Sequence, residues 1–67
     1  MEIVKLDYME IVQLDPIKYY RIIDDNNHID LLMNQDEDNV IFMFKNGVPL
    51  DVRHWDFYID IFRQNKN

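Results

Sequence analysis

A chain of 67 residues with no cysteine has room for one small domain and no disulfide or zinc–thiolate staple, so a dense apolar core and association with itself or a partner are its remaining stabilisers. Serine and threonine are also absent and Gly47 is the single glycine, which removes the usual hydroxyl and thiol nucleophiles and excludes glycine-rich phosphate loops. The formal net charge of −6 repels nucleic acid and anionic membrane and favours basic partners, while 48% hydrophobic and 13% aromatic residues mark a chain that folds.

The N-terminus nearly repeats itself. Met1, Glu2, Ile3, Val4, Leu6 and Asp7 recur as Met9, Glu10, Ile11, Val12, Leu14 and Asp15. In a helix a shift of eight residues turns the apolar face by about 80°. In a strand an even shift keeps the inside inside, and the β-branched isoleucines and valines agree. A strand is therefore expected over residues 2–14, as one long strand or as two short ones bending near Asp7–Met9. A late duplication, leaving residues 1–8 dispensable, explains the repetition equally well.

Asp15-Pro16 breaks this element. The Tyr19-Tyr20 and Ile22-Ile23 pairs favour a strand over 18–24, with a short helix over 16–22 as the alternative. Asp24-Asp25-Asn26-Asn27 is a turn cluster. A strand over 28–34 follows, in which Ile29, Leu31 and Met33 alternate with His28, Asp30 and Leu32. After an acidic loop over 35–39 comes a strand over 40–45, apolar on both faces and so in need of cover on both. Either the N-terminal strands or a second subunit could supply the second cover, so a homodimer is physically motivated. Asn46-Gly47 makes a hairpin turn, and Pro49 limits the returning segment to an edge.

Asp51 is expected to cap a helix over 51–64. Val52, Trp55, Ile59 and Phe62 recur at helical spacing with Tyr58 beside them, and Arg53, Asp56, Asp60 and Arg63 share the opposite side. The expected fold is α+β: a small antiparallel sheet of about three to five strands packed against one C-terminal helix, in a single domain over 1–67.

Catalysis is not expected. His28 and His54 have no nucleophile to activate and read as surface or boundary residues. The oxygen-rich stretches 24–27 and 36–39 lack the central glycine and closing glutamate of a calcium loop, and two isolated histidines give no zinc spacing. No metal or cofactor is therefore expected. Acidic residues interrupt every apolar run, so no stretch approaches the ~18 apolar residues of a membrane span, and no basic leader is visible. The expected compartment is the cytoplasm.

The acids suggest a partner. Asp24, Asp25, Asp30, Asp36, Glu37 and Asp38 are candidate partner-binding charges, with Asp51, Asp56 and Asp60 along the helix. Two readings stand: solvated turns that keep a greasy chain soluble, or carboxylates spaced to imitate nucleic-acid phosphates before a basic protein groove. Phe57 and Ile61 lie about 140–180° from Val52 on the helical wheel. Either the helix is wedged deeply into the sheet, or these two form an exposed apolar pair that contacts a partner or a second copy. The functional expectation is a small acidic non-enzymatic inhibitor that occludes a basic, nucleic-acid-binding surface of a target protein. It binds no nucleic acid or membrane itself. Acidity, small size and AT-rich codon usage suit a phage or mobile-element protein that counters or takes over host functions. The alternative is an assembly protein that works as a homo-oligomer.

Overall fold

A computed structural model describes residues 1–6, 17–36 and 38–65. Five strands, β1 (Glu2–Leu6), β2 (Lys18–Asp24), β3 (Asn27–Met33), β4 (Val40–Lys45) and β5 (Val48–Pro49), form one antiparallel sheet in the order β1-β2-β3-β4-β5. A 3-10 turn, Val52–His54, leads into α1, Trp55–Asn65. The fold is α+β, as its residue pattern predicts.

Turn chemistry sets the meander. Asp25 takes a positive φ of 53° between β2 and β3, and Asn46 and Gly47 take φ of 51° and 83° between β4 and β5. Two consecutive left-handed residues twist a hairpin the right way. Asn46 also ties the two hairpins together. Its side-chain carbonyl accepts from the His28 backbone N–H at 2.8 Å, and its amide donates to the Asn27 side chain at 2.9 Å. In β4 the register slips at Leu32/Met33, so that Phe42 faces Leu32 while Val40 faces Met33. Ile41 is the extra residue of a bulge.

Alternation sorts the two faces of the sheet. Tyr20, Ile22, Ile29, Leu31, Met33 and Met43 point to the helix side and form the core with Phe62 of α1. Phe62 meets Tyr20 edge-on at 4.8 Å, a geometry aromatic pairs prefer. Two bonds fix where the helix starts. The Asp51 carboxylate accepts from the Arg53 backbone N–H at 3.0 Å, and the Trp55 indole donates to the Leu50 carbonyl at 2.8 Å.

The opposite face carries Tyr19, Arg21, Asp30, Leu32, Phe42 and Phe44. Arg21 and Asp30 are cross-strand partners. The Arg21 guanidinium donates from Nε and Nη2 to the two Asp30 oxygens at 2.7 and 3.2 Å, and from Nη2 to the Tyr19 hydroxyl at 3.3 Å. Such two-pronged pairing is the strong form of the arginine–carboxylate interaction.

Two expectations need correction and one falls elsewhere. Val52 is 67% exposed, not core. It sits in the 3-10 turn, where the chain winds at three residues per turn and the 100° wheel does not apply. The alternative helix over 16–22 is not formed, since Lys18–Asp24 is a strand. Of the strand expected over 2–14, the part over Glu2–Leu6 is β1, with Ile3 packed against the core. The second copy of the octet lies outside the described residues.

Candidate functional site

Helix α1 is seated on the sheet by buried Phe62, with Trp55, Tyr58, Ile59 and Ile61 packed against the core. Phe62 meets Tyr20, whose row across the sheet contains Leu31 and Met43. A groove of about 250 Å³ remains between the helix and the neighbouring row Ile22–Ile29–Lys45. Ile22 and Ile29 line it from the sheet, and Phe57, Tyr58 and Ile61 line it from the helix. Met1, Asp24, Asn27 and Lys45 complete the lining. A neighbouring depression of about 280 Å³ is lined by Lys45, Leu50, His54, Phe57 and Tyr58. Lys45, Phe57 and Tyr58 thus border both hollows.

Phe57 is 66% exposed. Its ring stands perpendicular to that of Tyr58 at 5.1 Å. The charges of the groove are unpaired. Asp24 and Lys45 both border it, and neither forms an ion pair among the described residues. They stand on strands separated by β3 and are offset by two residues along them, which at ordinary strand spacing and rise places their backbones about 12 Å apart.

The six acids read from the sequence do not form one surface. Asp24 borders the groove, and Asp25 is exposed in the adjoining turn. Asp36 and Asp38 are exposed at the other end of β3, where the Asp38 backbone N–H donates to the Asn34 side chain at 3.0 Å. Glu37 lies outside the described residues. Asp30 is not an exposed charge. Its side chain is 9% exposed and neutralised by Arg21, because the β2–β3 register sets the two directly opposite on the face away from α1. The Asp30 hydrogen bond raises the Arg21 pKa further above its already high value. Burial first, and then the hydrogen bond to Asp30 and its charge, raise Tyr19.

The Phe57 and Ile61 pair is also split. Phe57 projects into solvent, whereas Ile61 is half-buried and packs against the core cluster. The helix is neither wedged throughout nor free along this side: Ile61 packs against the core, whereas Phe57 stays exposed. Both residues nonetheless border the same groove. Lys45, Tyr58, Ile22 and Ile29 were not among the expected site residues. The signal for Lys45 was its place as the polar end of the apolar run VIFMF, just before the Asn46-Gly47 turn.

Among the described residues no three histidine or acidic side chains are grouped to hold a metal ion, and no helix is long and apolar enough to cross a membrane. Comparison of the chain with protein-family models, with curated proteins and with solved structures finds no match.

Proposed function

We propose that this chain is a small non-enzymatic protein that acts by binding a basic protein, and that it inhibits its target by covering a nucleic-acid-binding surface. The observation that supports the reading is the placement of exposed carboxylates at both ends of one strand. Asp24 and Asp25 lie before β3, and Asp36 and Asp38 lie after it. The seven residues of β3 span about 20 Å at ~3.4 Å per residue. With the central Asp30 neutralised, the charges bracket the strand instead of lining it. They steer a basic partner and orient it at two points. The serine, threonine and cysteine nucleophiles that a histidine base most often activates are absent from the composition. A phage or mobile-element origin agrees with this role in style and size.

The test is capture from a lysate of the likely host at low and moderate salt, followed by a nucleic-acid-binding assay on any basic protein recovered. A salt-eluted basic protein that loses its nucleic acid when the chain is added supports the reading. One that binds the chain and nucleic acid together contradicts it.

A second reading, an assembly protein, is favoured by a different region. Ile41 and Phe42 of β4 are each 40% exposed. Phe42 points away from the helix, beside Phe44 at a ring separation of 6.5 Å. Light scattering on the chain by itself distinguishes the two readings: a stable oligomer that ignores salt belongs to the assembly.

A further inference from the structure

We infer that the groove beneath Phe57 receives one large apolar side chain from a basic segment of the partner, with a cation beside it at Asp24. The inference rests on the reading above and adds where the partner docks and which chemistry it brings. The lining argues for a single anchor. Ile22, Ile29 and Ile61 make an apolar floor and wall, and Phe57 stands exposed at the rim. A volume of about 250 Å³ falls below the ~300–1,000 Å³ of small-molecule pockets. It suits one aliphatic or aromatic side chain closed over by Phe57, as in the central anchor of an interface.

Charge decides the rest. Asp24 and Lys45 border the same groove without neutralising each other, and Asp25 adds a second exposed carboxylate in the adjoining turn. The rim is therefore acidic on the β2–β3 side, where a lysine or arginine of the partner is attracted. A second copy of this chain is the weaker occupant, because it brings its own formal charge of −6 against a rim of the same sign.

The experiment uses the full chain and three short fluorescent peptides: alternating lysine and leucine, alternating lysine and serine, and alternating glutamate and leucine. Binding is read by anisotropy at low salt. The lysine–leucine peptide is expected to bind about tenfold tighter than the lysine–serine peptide, a scale set by one buried anchor. Phe57→Ala removes most of that difference and leaves the lysine–serine peptide unchanged. Asp24→Asn, at an exposed position, weakens both basic peptides and keeps the inference testable should Phe57→Ala perturb the fold. Equal binding of the two basic peptides, unaffected by Phe57→Ala, overturns the groove and leaves the basic-partner reading standing. Binding of neither basic peptide, or preference for the glutamate–leucine peptide, overturns both. A dimer in sedimentation that dissociates on Phe57→Ala assigns the groove to a second copy and also overturns the inference.

Discussion

Phe57 and Phe62 lie five residues apart on one short helix, yet the first is 66% exposed and the second 3%. The two rings are the same size and differ by about 140° around the axis. Phe62 faces the sheet and closes the core against Tyr20. Phe57 faces outward over the groove bordered by Ile22 and Ile29. In so small a domain a helix cannot bury its whole circumference, so some of its apolar residues stay at the surface. Along α1, Phe62 is buried and Trp55, Tyr58, Ile59 and Ile61 pack against the core, while Phe57 is left exposed.

Substitutions at buried and at exposed positions should behave differently. Phe62→Ala should have the largest effect. Removing a buried phenylalanine costs about 3–5 kcal/mol, comparable with the whole stability of a domain this size. Urea unfolding or circular dichroism should show a chain that is largely unfolded at room temperature. Asp30→Ala comes next and tests the face away from the helix. It strands the Arg21 guanidinium beside Tyr19 and should cost about 2 kcal/mol. That is less than the ~3–5 kcal/mol of a fully buried pair, because Arg21 keeps 34% of its side chain exposed.

The same network predicts an alkaline limit. Burial and the bond to Asp30 raise the Tyr19 pKa above its ordinary 10.0, so the folded state holds the phenolic proton more tightly than the unfolded chain. That contribution is fully present below pH 10 and is lost as pH rises through the folded-state value. Thermal unfolding followed from about pH 9 upward should show a falling midpoint, and Tyr19→Phe should flatten this part of the curve. Smaller still in stability is Phe57→Asp, expected within about 0.5 kcal/mol of the parent while abolishing partner binding. Unfolding in that variant would move Phe57 into the core and erase the contrast with Phe62. Charge reversal at Asp36, Glu37 and Asp38 should leave the fold intact and slow association with a basic target several-fold at low salt. An unchanged on-rate in stopped flow removes the steering role of this loop.

Much of the architecture was legible because it is written locally. The Asn46-Gly47 pair names its own turn, the alternation in Ile29, Leu31 and Met33 names β3, and Asp51 names the start of the last element. The misreadings came from facts that no local window holds. Asp30 alternates with apolar residues and so reads as a solvent-facing charge. Only the register of two strands reveals Arg21 opposite it. Val52 obeys helical spacing, but its turn winds differently from the helix that follows. Phe57 and Ile61 share one side of the wheel, yet only Ile61 packs against the core, a difference set by where the helix meets the sheet. The groove itself, with Asp24 and Lys45 on its rim, exists only once three strands are aligned beneath the helix. The repeated octet is half answered: its first copy supplies β1, the edge strand beside β2.

The central claim is that exposed Phe57 belongs to a surface for a basic partner. Parallel capture experiments, with the parent chain and Phe57→Asp as baits in the same lysate at low and moderate salt, test it most directly. The account predicts one basic protein retained by the parent, released by salt, and missing from the Phe57→Asp bait. The same basic protein retained equally by both baits would contradict it.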